Sequence, residues 1–186
     1  SHYRIASSTT RFAMPESAIG LFPDAGASIF LGRCPRPMAL LIGLAGQIIS
    51  AADCMMLGLA DAVVPAEQIA DMRTDLLACD VTAIDDVIAR YRTDPGAAPL
   101  QAHRTVIDHV FSGDDLAAMR DRAGELAQLK GDEFAAMLSA ALSTRCPMTM
   151  HVFLRLIDGG VDIPDVAAAL AMDYRLAIRM SERADF

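Results

Sequence analysis

Apolar and polar positions change rhythm once along this chain, near residue 80. Before that point short extended runs alternate with helix-length ones. Tyr3 and Ile5 open an alternating pattern over residues 1–7, Ser8-Thr9-Thr10 reads as a turn, and Arg11 to Met14 reads as a second short strand. Asp24 to Arg33 is predicted helical, closed by Gly32, Pro35 and Pro37, after which the almost wholly apolar run Met38 to Leu44 predicts a buried helix. Gly46 to Ile49 reads as an extended or turn segment. Ser50 followed by Asp53 has the spacing of a capping box for a helix over 51–57, ended by Gly58. Leu59 to Val64 predicts a strand stopped by Pro65, and Ala66 to Ala78 an amphipathic helix with Ile69, Met72, Leu76 and Leu77 on one side. From Thr82 onward no strand alternation returns, and the apolar spacing predicts helices near 82–91, 99–111, 114–129, 132–144, 147–157 and 164–183. Asp94-Pro95-Gly96 is the clearest linker. The expected organisation is an α/β part over residues 1–80 and an all-helical region over 81–186.

One stretch of the first part concentrates turn residues and carboxylates. From Phe12 to Ser28 the chain must bend repeatedly, because Pro15 cannot continue a central ladder and Gly20, Pro23 and Gly26 follow at short intervals. Glu16 falls just past a strand end and Asp24 just before a helical run, positions where sites are commonly built. Ile19, Leu21 and Phe22 between them are apolar. Spacing alone favours plainer readings, with Asp24 as a helix N-cap and Glu16 as a solvated loop residue.

Composition narrows the function classes. A hydrophobic content of 53% with no tryptophan and no run of 18 apolar residues describes a soluble globular chain and supports no membrane span. The formal net charge of −8 argues against nucleic-acid binding, which needs a basic surface to neutralise phosphates. Cys34, Cys54, Cys79 and Cys146 are widely spaced, match no zinc pattern and read as reduced thiols of a cytosol-like compartment. His103 and His109, six apart, point about 240° away from each other on a helix, so they do not form a metal pair; His2 and His151 have no companion at ligand spacing. No serine sits in a Gly-x-Ser-x-Gly elbow, and the glycines form neither a dinucleotide fingerprint nor a P-loop. Arg33 and Arg36 flank Cys34-Pro35 and read as a solvated helix end or as phosphate contacts. Asp173, Tyr174 and Arg175 read equally as an exposed helix face or as residues near a site.

The phrase Phe12-Ala-Met-Pro-Glu-Ser-Ala-Ile-Gly-Leu-Phe-Pro-Asp-Ala-Gly26 resembles the second half of the active-site region of the crotonase (enoyl-CoA hydratase/isomerase) superfamily, within it most closely the 3-hydroxyisobutyryl-CoA hydrolases. The likeness continues more weakly through Ala45-Gly46, Ala51-Ala52-Asp53, Gly58-Leu59-Ala60-Asp61, Cys146-Pro147 and Met172-Asp173-Tyr174-Arg175-Leu176. In ordinary hydratases of the superfamily the position of Asp24 is usually glycine, and an acid there resembles the hydrolases.

That resemblance implies an α/β fold, the later turns of a crotonase-like β/α spiral followed by an all-helical C-terminal region. The chain begins without an initiator methionine or leader, so upstream sequence is expected to precede it, including the Gly-rich segment whose backbone N–H groups polarise the thioester carbonyl. The implied reaction is hydrolysis of 3-hydroxyisobutyryl-CoA in valine breakdown, with Glu16 as catalytic carboxylate and Asp24 holding the substrate hydroxyl or the attacking water and raising the proton affinity of Glu16 by like-charge repulsion. Glu16 either attacks to give a mixed anhydride or activates water. Ile19, Gly20 and Phe22 are expected beside the substrate. No tightly bound cofactor is expected, coenzyme A entering only as part of the acyl-CoA substrate; neither nucleic acid nor membrane is expected as a partner, and homo-oligomerisation is a family habit. The expected location is cytoplasmic, or the mitochondrial matrix in a eukaryote. Two alternatives stand beside this reading: an enoyl-CoA hydratase or isomerase using Glu16 as acid/base, and a non-catalytic packing or oligomerisation module.

Overall fold

Four short strands and eleven helices are seen among the described residues, 3–159 and 165–183, of a computed structural model. They group by contact into two compact units, one of residues 1–12 and 49–102, the other of 13–48 and 103–186. This grouping is a different partition from the change of sequence rhythm near residue 80.

In the first unit β1 (Ile5–Ser7) pairs in parallel with β4 (Ala62–Val64), with Ile5 opposite Ala62 and Ser7 opposite Val64. Strand β2 (Arg11–Phe12) pairs antiparallel with β3 (Ile49–Ser50). The turn between β1 and β2 is the one the serine-threonine run predicts, closed by the Thr10 amide donating to the Ser7 carbonyl at 3.0 Å. Helix α3 (Ala51–Met56) starts with the expected capping box: Ser50 Oγ accepts the Asp53 amide while Asp53 Oδ2 accepts the Ser50 amide at 2.9 Å. The remaining oxygen of Asp53 accepts the Leu100 amide at 2.9 Å, so this buried carboxylate also fixes the start of α6 (Pro99–Ala102). Asp53→Ala leaves those amides without an acceptor, and a destabilisation of about 2–3 kcal/mol is expected in a urea titration followed by far-UV circular dichroism.

Helices α4 (Ile69–Ala78) and α5 (Ile84–Tyr91) complete this unit, each preceded by a 3-10 turn. Val64, Met72 and Val87 form its core with Ile5, Ile69, Leu76, Cys79 and Tyr91 packed around them. Leu77 departs from the expected apolar face, being 79% exposed. It follows Leu76 by one position, 100° further round the helix, and only Leu76 points inward. The thiol of Cys54 is buried and pushed up to about 11, chiefly by that burial, which makes it a packing residue rather than a nucleophile.

The second unit is built on α2 (Arg36–Ala45), whose residues Met38 to Ala45 are all buried, as its unbroken apolar run requires. Pro37 does not break the chain; it sits in the first turn, where its missing N–H costs nothing. Around α2 pack α7 (Arg104–Val110), α9 (Glu133–Thr144) and α10 (Pro147–Gly159). Gly43 permits the closest approach: a Cβ there would lie 2.0 Å from Cε1 of Phe153 on α10. Helices α8 (Leu116–Lys130) and α9 form a hairpin whose link is Gly131, in the left-handed region, and Asp132, which caps α9 by accepting the Ala135 amide at 2.8 Å. The expected single helix over 99–111 is two, because the backbone at His103 leaves helical geometry between α6 and α7. Helix α11 (Val166–Ser181) closes the unit.

The arginine at the start of α2 is fully engaged. Arg36 pairs with Asp158 through Nε at 2.7 Å and donates to the Gly113 carbonyl at 2.8 Å, tying together the ends of three helices. It is a structural clasp rather than a phosphate contact. His103 stacks on Phe134 with ring centroids 4.0 Å apart, His109 and His151 are exposed, and His2 lies outside the described residues.

Candidate active site

All five residues singled out between Phe12 and Gly26 lie on one irregular segment of the second unit. Pro15 ends the extended chain, and Glu16–Ile19 forms a single 3-10 turn closed by the Ala18 amide on the Pro15 carbonyl at 2.9 Å. Gly20, with φ of 78°, reverses the chain in the left-handed region, where a side chain is strained. Leu21 then returns its amide to the Glu16 carbonyl at 3.0 Å.

The turn is held from below. Ser17 is buried; its hydroxyl donates to the Leu44 carbonyl at 3.1 Å near the end of α2, and its carbonyl accepts the Cys146 amide at 3.0 Å at the start of α10. The backbone that carries Glu16, one position earlier, is thereby anchored to both helices. Glu16 is half-buried, and its Oε2 is enclosed without a hydrogen-bond partner among the described residues. A solvated loop carboxylate is therefore excluded. Burial raises the proton affinity of Glu16, its own backbone amide partly opposes that, and the charge of Asp24 adds to the rise. The eight-residue sequence gap thus closes in space to within electrostatic reach.

The other expected residues take different places. Asp24 is half-buried and does not cap a helix: α1 is only Ala27–Phe30, its N-cap is Gly26, and no side chain serves it. The predicted helix over Asp24 to Arg33 is shortened because Ala25 and Gly26 both adopt positive φ, 55° and 79°. Ile19 is 68% exposed, and Gly20 is buried. Phe22 is wholly buried in a cluster with Leu156 on α10 and Met180 on α11, where its ring anchors the loop between the two acids. The structure thus gathers Glu16 and Asp24 and sends the Phe22 side chain into the core.

A third carboxylate joins them. Asp173 on α11 is 5% exposed, and its Oδ2 accepts the Gly26 amide at 2.8 Å while Oδ1 has no partner among the described residues. Burial raises its proton affinity, the Gly26 amide lowers it, and Asp24 raises it further. Its neighbours Tyr174 and Arg175 are exposed, so the equal weighting of these three residues in the sequence separates cleanly in space. The signal was available in the helix period: Ala169, Asp173, Leu176 and Met180 share one face, and an acid on an otherwise apolar inward stripe needs a partner.

Chemically the cluster offers a carboxylate poised above its ordinary range beside a second acid. Such a group can take a proton from water or present a nucleophilic oxygen. Among the described residues no three His, Cys, Asp or Glu side chains group in a metal-binding arrangement, and no helix is long and apolar enough to cross a membrane.

The family profile described as enoyl-CoA hydratase/isomerase matches residues 1–186. A 3-hydroxyisobutyryl-CoA hydrolase, mitochondrial, from Xenopus tropicalis is 32% identical over 193 residues, covering 100% of this chain and 49% of that protein. The 3-hydroxyisobutyryl-CoA hydrolase 1 of Arabidopsis thaliana is 32% identical over 179 residues, covering 94% of this chain and 47% of that protein. Among solved structures, a carnitinyl-CoA dehydratase from Mycobacterium thermoresistibile superposes with a TM-score of 0.87 at 27% identity, over 98% of this chain and 52% of that one. The chain spans about half the length of these relatives.

Proposed function

This chain belongs to the enoyl-CoA hydratase/isomerase family, and from that premise we propose that it carries the acid pair of an acyl-CoA thioester hydrolase acting on 3-hydroxyisobutyryl-CoA. The observation that carries the reading is the pairing of an enclosed Glu16 with Asp24, whose charge raises the proton affinity of Glu16. The names of the relatives support the acyl group. In this reading negative charge develops on the thioester oxygen and is stabilised by backbone N–H donors. Glu16 acts at the carbonyl carbon. Either its oxygen attacks, expelling the CoA thiolate and leaving a mixed anhydride that water cleaves, or it takes a proton from the water that attacks. Both routes consume one water and give the free acid and the CoA thiol. Asp24 holds the substrate hydroxyl or that water, and coenzyme A is part of the substrate rather than a resident cofactor. For a eukaryotic source the reading carries the mitochondrial location in the Xenopus protein's name; otherwise it is cytoplasmic.

The likeness to a carnitinyl-CoA dehydratase keeps a hydratase reading alongside, with Glu16 moving a proton to or from an enoyl-CoA. Product chemistry separates them. The hydrolase reading expects free thiol from 3-hydroxyisobutyryl-CoA, detected with a disulfide reagent, and no loss of enoyl absorbance from crotonyl-CoA. Enoyl loss without thiol would replace it with the hydratase, and absence of acyl-CoA binding altogether would favour a packing module. Within the hydrolase reading, Asp24→Asn is expected to lower turnover about 10²-fold, the scale of a positioned acid/base contribution. A wild-type rate in that variant would remove Asp24 from the chemistry.

A further inference from the structure

We propose that Asp173 is a positioning residue for the acid pair, its carboxylate holding the Gly26 amide and thereby fixing the left-handed turn that presents Asp24. This rests on the hydrolase reading of Glu16 and Asp24. The turn needs such a hold. Asp24 is followed by two successive residues of positive φ, and the first is Ala25, whose Cβ makes that conformation unfavourable. The local backbone occupies carbonyls: the Ala27 amide donates to the Asp24 carbonyl at 2.9 Å and the Ile29 amide to the Gly26 carbonyl at 2.9 Å, while the Gly26 amide is bonded from outside the turn.

What holds the Gly26 amide is a side chain 147 positions away in the sequence, reached because α1 packs against α11. Its bond is charge-assisted, and the buried setting strengthens it. A buried acid is an expensive way to satisfy one amide, since Oδ1 is left with no partner and Asp24 repels it. An apolar residue at this buried position would carry no such penalty. The cost of the acid is accounted for if it serves the geometry of Asp24. Asp24 is also the group whose charge acts on both Glu16 and Asp173, so the three carboxylates form one chain of influence with Asp24 at its centre.

The test is a double-mutant cycle on the full-length protein, reading kcat and KM for thiol release from 3-hydroxyisobutyryl-CoA. Asp173→Asn keeps an oxygen for the Gly26 amide, and a rate within about threefold of wild type is expected. Asp173→Ala removes it, and kcat is expected to fall at least tenfold; on an Asp24→Asn background the same change is expected to cost less than twofold, because Asp173 acts through Asp24. Equal losses on both backgrounds, or an Asn variant as impaired as the Ala variant, would overturn the proposal. Hydrogen exchange at the Gly26 amide decides it independently of turnover, and so also where Asp173→Ala does not fold or the wild type releases no thiol and the hydrolase reading itself falls. Slow exchange in wild type and Asp173→Asn supports the hold; fast exchange at Gly26 in a folded wild type overturns it.

Discussion

Glu16→Gln is expected to reduce thioester turnover by about 10³-fold or more while leaving the fold intact and the protein no less stable at neutral pH. The amide keeps the shape of the side chain and loses both the basicity and the nucleophilic oxygen. Its effect on stability follows from the direction of the shift. Glu16 takes up its proton more readily in the folded chain than in the unfolded one. The folded state is therefore favoured below the ordinary carboxylate range and loses that advantage as pH rises through the raised folded value. At neutral pH the ionised group works against folding, and Gln removes that opposition. Thermal melts should then show Glu16→Gln at or above the wild-type midpoint at about pH 7, with the difference vanishing toward about pH 4. A variant that lost activity and also melted earlier at neutral pH would indicate a structural glutamate instead.

The largest effect on folding is expected from Gly43→Ala. The added methyl would sit 2.0 Å from Cε1 and 2.3 Å from Cζ of Phe153, inside the ring's own volume. Phe153 is fully buried and α2 is enclosed along most of its length, so neither partner can step aside without disturbing the core. Overpacking of this kind costs about 3 kcal/mol, well above the gain of up to about 1 kcal/mol from replacing a helical glycine by alanine. The net of about 2–3 kcal/mol should lower the midpoint by roughly 4–12 °C for a chain of this size. Pairing the change with Phe153→Leu, which makes room for the methyl, should recover part of the loss. Full additivity of the two losses would show that the ring is not the obstacle.

How far the sequence foretold this structure depends on whether the decisive partner was local. Ser50 and Asp53 lie three apart, and their capping box was legible because both ends of it are in one turn. The apolar run of α2 required burial on every side, and Gly58 ended α3 as expected. Where the deciding contact was distant, the reading failed. The Asp24–Arg33 run has helical composition, yet the Gly26 amide is claimed by Asp173, and α1 shrinks to four residues. The resemblance puts Phe22 beside the substrate, and the packing of its ring with Leu156 on α10 and Met180 on α11 is a distant contact that the local sequence does not report. The two acids themselves were legible through the length of the phrase that holds them. Their mutual influence follows from the same phrase, Asp24 raising the proton affinity of Glu16 by like-charge repulsion; that burial is the larger cause depends on packing that no pattern along the chain reports.

Ser17 carries a consequence for how this site discriminates. Its hydroxyl and its carbonyl are fastened to two different helices, so the turn bearing Glu16 has no small, private motion by which to open. Its amides move when the helical body moves. In the proposed hydrolase reading, the backbone carrying the acid is then expected to keep its place from one acyl group to the next, so that fitting falls to the approaching molecule.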